Sequence, residues 1–284
     1  MPKAQGANLK DRDTLSGGLR SGPAFANEGR MRPNQHSSGK MRLDEALVAR
    51  GLFASRSRAR DAILRGTVSV DGLSETKPAQ PVASTAEIAV ADPARGYVSR
   101  AALKLIAALD AFDLDPAGRV ALDIGASTGG FTQVLLERGA GHVVALDVGH
   151  GQLHESLRAD PRVTVLEGLN ARDLAATNLG DTAPDLLVSD VSFISLRLAL
   201  PPALALAAPG ALGVFLVKPQ FEAGRAAIGK GGLLRDPDDG PRVARDLAGW
   251  LGNQPDWRAL GMIPSPIAGG DGNHEFLLAG VKDA

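Results

Sequence analysis

The 284-residue chain contains no cysteine, and this absence removes several kinds of chemistry. Disulfide bonds and zinc sites built from thiolates are excluded. Any mechanism that begins with a cysteine nucleophile is also excluded, including thiolate attack on C6 of a pyrimidine. A chain without cysteine is typical of the cytoplasm, and we expect this location.

A strong net charge and a secretory signal are also missing. The formal net charge is −1, so a basic surface for nucleic acid has to come from local clusters of arginine and lysine. Residues 1–40 are rich in Gly, Ser, Asn and charge and have no apolar segment of the kind that a signal peptide needs. We expect this leader to be disordered because it cannot bury enough apolar surface. It leaves open whether Met41 is the functional start.

A transmembrane segment is lacking, although one stretch has the necessary length. Residues 198–217 contain no charged side chain, and about twenty apolar residues span a bilayer. Three prolines and two glycines interrupt the stretch. They predict a short helix at about 202–208 and a buried strand at about 213–217 rather than a membrane helix.

The most informative feature that is present is the glycine-rich segment 122–131. It follows an apolar run and leads into a helical pattern, as at the end of the first strand of a doubly wound α/β sheet, where a ligand lies against bare backbone. The next apolar run ends in Asp147, whose carboxylate would accept hydrogen bonds from a ribose diol. This pairing also fits NAD. The spacing Gly125-x-x-x-Gly129 departs from dinucleotide sites, however, and with Asp123 in front it resembles motif I of S-adenosylmethionine (SAM) methyltransferases.

The chain from residue 99 onward alternates helical segments with apolar runs. A helix is predicted over residues 100–112, capped by Ser99, and a last strand over 275–281, antiparallel as in the hairpin that closes methyltransferase sheets. The other strands are predicted near 120–124, 143–146, 163–166, 186–189 and 213–217. This order predicts an α/β fold of the class I SAM-dependent methyltransferase type, with a doubly wound, mostly parallel seven-stranded sheet.

Residues 41–92 form a separate small unit. Helices are predicted over residues 43–50 and after Ser55, followed by a strand at 67–70 and a turn at Asp71-Gly72. The second helix carries four arginines against a single acid, and Ala59, Ala62 and Ile63 supply its buried stripe. A solvated charged face is the simpler interpretation of the arginines. The order of residues, however, resembles the S4-type RNA-binding domain, named after a small-subunit ribosomal protein and shared with pseudouridine synthases.

The resemblance to the S4-type domain implies that the arginine-bearing helix lies on RNA phosphates, which suits guanidinium groups and shape-based recognition of RNA. The implied RNA contacts are Arg42, Arg56, Arg58, Arg60 and Arg65, with Arg100 beyond the linker.

Charged side chains stand at strand ends, at the edge of the sheet where ligands bind. Asp190 and Lys218 each follow an apolar strand, Glu275 begins the last one, and Lys104 lies in the helix that opens the second unit. Each one alone is consistent with an ordinary strand-end charge. Together they match the Lys-Asp-Lys-Glu set of ribose 2′-O-methyltransferases of the FtsJ/RrmJ type.

Most of the chain, from Met41 to Val281, resembles the TlyA (haemolysin A) family of ribosomal RNA 2′-O-methyltransferases. One departure is Tyr97, at a position that is often Trp in relatives, and the other is the forty-residue leader. The resemblance implies a leader at 1–40, an S4-type domain at 41–94, a linker at 95–98 and a methyltransferase domain at 99–284. The segments that carry it are 97–105, 123–131, 145–153, 189–196 and 217–222.

The resemblance also implies roles for individual residues. Lys218 would stabilise the developing alkoxide at the 2′-oxygen, with Asp190 and Glu275 holding it, and Lys104 would position the ribose or a phosphate. Phe193 would stack on the target base or fill the core. SAM contacts are implied for Asp123, Gly125, Ala126, Ser127, Gly129, Gly130, Phe131, Asp147 and, beside the adenine, Asn170. The implied partner is ribosomal RNA or a ribosomal subunit, methylated at cytidine, and we expect a monomer without a metal.

Rival functions lack their sequence signals. A methyltransferase for base amino groups would carry Asn/Asp-Pro-Pro-Tyr/Phe where this chain has Ser189-Asp190-Val191-Ser192-Phe193. The glycine spacing disfavours a dehydrogenase. Membrane lysis is disfavoured because the sequence shows no amphipathic or membrane-length segment. An RNA-binding protein with an inactive catalytic domain is disfavoured because the four charged residues are intact.

Overall fold

The computed structural model describes residues 39–180, 182–270 and 272–284. The disorder expected for the leader therefore falls, up to residue 38, outside the described residues.

The N-terminal unit combines helices with short strands. In chain order these are β1 (Met41–Arg42), α1 (Leu43–Ala49), α2 (Arg56–Leu64), β2 (Val68–Val70), β3 (Leu73–Glu75), β4 (Pro81–Val82) and β5 (Ile88–Val90). Strand β1 pairs with β4, and β3-β2-β5 form an antiparallel sheet. The side chain of Ser55 accepts a hydrogen bond from the Arg58 N–H, so the predicted N-cap of α2 is confirmed. The predicted stripe of Ala59, Ala62 and Ile63 is buried and closes the core of this unit.

The C-terminal unit alternates helices and strands as expected. Its elements are α3 (Ala102–Ala111), β6 (Val120–Ile124), α4 (Gly130–Glu137), β7 (His142–Asp147), α5 (Glu155–Arg158), β8 (Val163–Glu167), α6 (Ala176–Leu179), β9 (Leu186–Ser189), α7 (Leu196–Ala199), α8 (Pro201–Leu206), β10 (Leu212–Val217), α9 (Pro219–Glu222), α10 (Asp239–Gly252), β11 (Trp257–Pro264) and β12 (Phe276–Lys282). Short 3₁₀ turns lie at Ala171–Asp173, Arg225–Ala227 and Lys230–Gly232.

The described residues form one seven-stranded sheet in the order β11-β12-β10-β9-β6-β7-β8. The five strands from β10 to β8 are parallel, and β12 runs antiparallel to both β10 and β11. Apolar clusters cover both faces, one packed against α3 and α4 and the other against α7, α8 and α10. The predicted doubly wound, mostly parallel sheet is confirmed, including its antiparallel last strand.

The start of α3 differs from the prediction. The helix begins at Ala102 rather than at residue 100, because Ser99 opens a turn: its Oγ accepts a hydrogen bond from the Ala101 N–H, and its carbonyl accepts one from Ala102. Arg100 therefore lies in the turn before the helix. Helix α10 and strand β11 were not predicted from the sequence.

The uncharged stretch 198–217 folds into the end of α7, the short helix α8 and the buried strand β10, close to the prediction. Across the described parts of the chain, no helix has the length and apolar character needed to cross a membrane.

Hydrogen bonds from both units hold the linker. Arg58 on α2 donates to the carbonyl oxygens of Ala94 and Tyr97. On the other side, the Gln133 side chain on α4 accepts a hydrogen bond from the Val98 N–H at 2.8 Å and donates to Gly96 O at 3.1 Å. The chain between the units is thereby fixed to α2 and to the helix that follows the glycine-rich segment.

Candidate active site

The glycine-rich segment turns sharply at the end of β6. Gly125 has φ +83°, and a Cβ atom there would lie 2.9 Å from the carbonyl oxygen of Asp190. Ser127 has a positive φ of +48°, which a side-chain-bearing residue rarely adopts. Strained backbone of this kind persists only where the surroundings hold it, and it is concentrated at ligand sites.

Asp147, at the end of β7, is tied to this turn by backbone hydrogen bonds. Its Oδ2 accepts from the Ser127 N–H at 2.8 Å, and its Oδ1 accepts from the Gly149 N–H at 2.7 Å. The carboxylate predicted for the ribose of the cofactor thus stands against the glycine turn, as the spacing in the sequence indicated.

Two neighbouring cavities open at this edge of the sheet. The larger measures about 960 Å³, within the usual range for ligand sites; the smaller, of about 180 Å³, lies between the turn and Lys218. The predicted site residues on the larger cavity are Gly125, Ser127, Asp147, Asn170, Asp190 and Phe193. Those on the smaller are Gly125, Ala126, Ser127, Gly130, Phe131, Asp190 and Lys218.

Some predicted cofactor residues lie behind the cavities. Gly129 lines neither cavity; with φ +99° it turns the chain toward α4. Asp123 is fully buried and accepts a hydrogen bond from the Thr132 hydroxyl at 2.6 Å, while its Oδ1 has no hydrogen-bond partner among the described residues. Burial raises the pKa of Asp123 to about 7, and the charge of Asp190 adds to this effect.

The Asp123 pKa predicts a dependence of stability on pH. The carboxyl group of Asp123 keeps its proton up to about pH 7 in the folded chain but loses it near pH 4 in the unfolded chain. Protonation of Asp123 therefore stabilises the folded chain fully below about pH 4, and this contribution is lost as the pH rises through 7. Without cofactor, the free energy of unfolding of the wild type relative to Asp123→Asn should fall between pH 4 and 7, by up to about 1.4 kcal/mol per pH unit. Urea unfolding of both proteins from pH 5 to 8 tests this. A difference that does not vary with pH would contradict it.

The four charged residues form two ion pairs. Lys218 Nζ lies 2.6 Å from Asp190 Oδ1, and Lys104 Nζ lies 2.6 Å from Glu275 Oε2. Both lysines and Glu275 are largely buried, so each charge depends on its partner. The β10–β12 register pairs Val217 with Phe276, which sets Lys218 opposite Glu275 at the sheet edge.

This pairing corrects one expectation. Glu275 was expected to hold Lys218 together with Asp190, but it accepts its hydrogen bond from Lys104 instead. The reason is that α3 packs against the sheet beside β10 and β12, which brings its lysine to the carboxylate. The Lys104–Glu275 pair borders neither cavity, whereas Lys218 and Asp190 border the smaller one.

Phe193 lies in the loop after β9 and is 91% exposed, so the interpretation that it fills the core is wrong. Its φ is +65°, and the centroid of its ring lies 5.2 Å from the centroid of the Phe221 ring. Glu222 holds the end of this loop, since it accepts hydrogen bonds from the Ser195 hydroxyl and the Leu196 N–H. Stacking of Phe193 on a target base stays a prediction.

Asn170, at the edge of the larger cavity, has a local role as well. Its Oδ1 accepts hydrogen bonds from the backbone and the side chain of Arg172. Its contact with an adenine stays a prediction. In the described residues, no cluster of three or more His, Asp and Glu side chains is arranged to hold a metal ion.

Acidic residues engage several of the predicted RNA-binding arginines. Arg42 and Arg56 both pair with buried Asp44 at 3.0 Å. These hydrogen bonds, that of Arg42 above all, lower the pKa of Asp44 to about 2. Arg56 therefore joins α2 to α1, and Arg42 joins β1 to the start of α1.

The junction between the units holds three more of these arginines. Arg65 pairs with Asp92 and Asp61, Arg100 donates to Asp61 at 2.6 Å, and Arg58 holds the linker carbonyls. By contrast, Arg60 is exposed and makes no side-chain hydrogen bond or ion pair with the rest of the described chain.

Two residues of this site were not predicted from the sequence. Thr132 hydrogen-bonds to Asp123, and Ser192 accepts a hydrogen bond from Lys218 at 2.7 Å. Ser192 follows the strand-end Asp190 by two positions, in a loop whose place at the ligand edge was predictable, and that position was the available signal.

Comparisons with known proteins show the family to which the chain belongs. Residues 97–282 match the FtsJ-like methyltransferase family, and residues 41–88 match the S4 domain. The chain is 48% identical over 240 residues to the 16S/23S rRNA (cytidine-2′-O)-methyltransferase TlyA of Mycobacterium tuberculosis, covering 84% of this chain and 89% of the relative.

Other relatives carry the name hemolysin. Hemolysin A of Brachyspira hyodysenteriae is 41% identical over 237 residues, which cover 84% of this chain and 98% of that protein. A solved structure described as a hemolysin from Streptococcus thermophilus has 38% identity and a TM-score of 0.68, covering 87% of this chain and 90% of that one.

Proposed function

The chain belongs to the FtsJ-like methyltransferases of the TlyA type, with an S4 domain before the catalytic domain, and on this premise we propose that it methylates a ribose 2′-hydroxyl of ribosomal RNA. The observation that carries the proposal is the Lys218–Asp190 ion pair at 2.6 Å, on the cavity beside the glycine turn. A related enzyme is named for the cytidine 2′-oxygen, and we propose cytidine as the acceptor here.

SAM is the cofactor of this enzyme class, and the residues present fit it. The bare backbone at Gly125 leaves a space that a Cβ atom would fill, and the Asp147 carboxylate stands at its side. We assign Gly125, Ala126, Ser127 and Gly130 to the methionine end, Asp147 to the ribose and Asn170 to the adenine. When bound, SAM supplies the methyl group as an electrophile.

Lys218 supplies the chemistry at the acceptor oxygen. A ribose hydroxyl is a poor nucleophile at neutral pH, and negative charge develops on its oxygen as its proton passes to solvent ahead of the new C–O bond, for which the bond between the methyl carbon and the sulfur of SAM would break. The Lys218 ammonium stabilises that charge, and Asp190 keeps the ammonium in place. We assign the Lys104–Glu275 pair to the same site, where it flanks Lys218 across the β10–β12 register.

The S4 domain would dock the enzyme on RNA, with Phe193 stacking on the target base. A planar ring that is exposed and held in a strained loop is suited to an unstacked base. One chain carries all four charged residues of the set, so we propose that it acts as a monomer, in the cytoplasm where ribosomal subunits are found.

Two measurements test the proposed function. Purified enzyme should transfer tritium from methyl-labelled SAM to ribosomal RNA, and the labelled position should resist alkaline cleavage because a 2′-O-methyl group blocks it. Mapping of 2′-O-methyl sites in ribosomal RNA from cells with and without the protein should show a cytidine that loses its mark. Methylation of a substrate with 2′-deoxyribose at the target would identify a base atom as the acceptor and refute the proposal.

RNA binding by α2 is best tested at Arg60. Removing this exposed charge disturbs none of the ion pairs of Asp44, Asp61 and Asp92, so Arg60→Ala should fold normally. If the arginine contacts a phosphate, RNA affinity should fall several-fold. The slope of log K against the logarithm of the salt concentration should also become shallower by about one, because one counterion fewer is released on binding. Filter binding at several salt concentrations measures both quantities.

The control for Arg60 is Arg242→Ala. Arg242 on α10 is also exposed and pairs with Asp239, so this variant changes the net charge equally but away from the S4 domain. It should leave RNA affinity unchanged. Equal affinities of Arg60→Ala and the wild type would mean that Arg60 belongs to a solvated face.

A further inference from the structure

The Lys218 ammonium has a second partner besides Asp190. It donates a hydrogen bond to Ser192 Oγ at 2.7 Å, and its distance to Asp190 Oδ1 is 2.6 Å. Ser192 lines both cavities and is exposed, whereas Lys218 is only 9% exposed. The serine hydroxyl therefore touches the ammonium from the side of the open site.

We propose that Ser192 is a positioning residue for the reaction, because its hydroxyl fixes the direction of the Lys218 ammonium; this inference rests on the proposed function. A lysine ammonium is a point charge on a flexible four-carbon chain and carries three N–H donors. An ion pair alone fixes the distance of the ammonium from the carboxylate but not the direction of its N–H bonds. The contact with Asp190 Oδ1 is such an ion pair, without hydrogen-bond geometry, whereas the hydrogen bond to Ser192 Oγ directs one N–H of the ammonium and leaves the others for the substrate oxygen.

The chemical type of the second partner matters. The ion pair with Asp190 already balances the charge of Lys218. A second carboxylate would add negative charge where the transition state develops its own, and this would oppose the reaction. A neutral hydroxyl orients the ammonium without that cost.

The loop that carries Ser192 is fixed without Lys218. The Asp190 N–H donates to Ile124 O at its start, and Glu222 accepts hydrogen bonds from Ser195 and Leu196 at its end. Since both ends are held by other contacts, the Ser192–Lys218 bond is not needed to shape the loop. The hydrogen bond therefore acts on the orientation of the Lys218 ammonium.

A pair of variants of equal shape isolates the hydroxyl. Ser192→Thr keeps the acceptor, and Ser192→Val replaces it with a methyl group at the same branched carbon. We expect kcat of Ser192→Val to fall roughly 10-fold or more, because a misplaced catalytic group loses rate steeply. Ser192→Thr should stay within about 3-fold of the wild type. KM for RNA and the SAM dissociation constant should change little in either, since the ground states do not carry the alkoxide.

The control is Ser189→Ala, which removes a buried hydroxyl without a partner among the described residues, three positions earlier. It should leave kcat unchanged. Equal kcat values for Ser192→Thr and Ser192→Val would overturn the proposal, as would a loss in Ser192→Val that appears only in KM or SAM affinity. If neither branched variant folds by thermal melting, Ser192→Ala decides: wild-type kcat overturns the proposal, and a drop in kcat alone supports it.

The same assay separates this inference from the proposed function. Wild-type enzyme that methylates a 2′-deoxy target would refute ribose methylation whatever Ser192 does. Wild-type enzyme that requires the 2′-hydroxyl, together with a Ser192→Val variant of normal kcat, would refute the role of Ser192 alone.

Discussion

Replacing Lys218 with methionine is expected to lower kcat at least about 100-fold, while the affinities for SAM and RNA stay within a few-fold. Methionine keeps an unbranched apolar stem for the packing at the end of β10 but removes the charge next to the acceptor oxygen. Neither ground state carries an alkoxide, so binding should hardly change. Single-turnover rates and equilibrium binding of both ligands measure the two effects separately.

The Lys218→Met variant also leaves Asp190 without its counter-charge. Breaking a largely buried ion pair lowers folding stability by itself, commonly by about 3 to 5 kcal/mol. The double variant Lys218→Met with Asp190→Asn removes both charges and should recover stability without recovering activity. Recovery of activity by the double variant would show that the loss came from unfolding rather than from chemistry.

Lys282→Met is the matched control for Lys218. Lys282 donates hydrogen bonds to the carbonyl oxygens of Leu204, Ala205 and Ala207 at the end of α8, away from the cavities. Its loss should reduce stability and leave kcat unchanged. An equal fall of kcat in the two lysine variants would contradict a catalytic role for Lys218.

Gly125→Ala is expected to weaken SAM binding at least about 10-fold and to cost about 2 to 5 kcal/mol of folding stability. Two effects add. Alanine is strained at φ +83°, and its Cβ would lie 2.9 Å from Asp190 O and 3.0 Å from Val191 Cγ1. The backbone cannot yield without moving Asp190, which holds Lys218, so kcat should fall as well. Calorimetric titration with SAM and urea unfolding measure the two losses.

Gly118→Ala separates backbone strain from crowding. Gly118 has φ +71°, but a Cβ atom there would have no heavy atom within 4 Å. This variant should lose about 1 to 2 kcal/mol of stability and keep its SAM affinity. If both glycine variants bind SAM normally, the cavity beside Gly125 does not hold the cofactor.

Local patterns in the sequence were sufficient for the sheet and for part of the site. Strands β6 and β9 have the predicted bounds, because a buried parallel strand is a short apolar run between turns. The positions of Asp147, Asp190 and Lys218 followed from the rule that parallel strands bring their carboxyl ends to one edge. The N-cap Ser55 and the stripe of α2 depend only on neighbours within a helical turn.

The sequence was less informative where an element owes its place to distant partners. Strand β11 has a weak sequence pattern because it is an edge strand with mixed exposure, and its place is determined by pairing with β12. Phe193 is an aromatic residue, a type that is usually buried, and only the structure shows that it is exposed, in a loop where its φ is positive and its ring lies near that of Phe221. Neither the pairing of β11 with β12 nor the exposure of Phe193 produces a periodic pattern in the sequence.

The sequence by itself determined which charged residues reach the ligand edge of the sheet, and the tertiary structure decided how they pair. Glu275 joins Lys104 across 171 positions, and Ser192 joins Lys218 across 26, so no local pattern encodes either bond. In the same way, Arg65 and Arg56 became ion-pair partners of Asp92 and Asp44, while Arg60 stayed exposed. The physical reason is that the burial of a charge requires an opposite charge within a few ångströms, and packing alone determines which one is there.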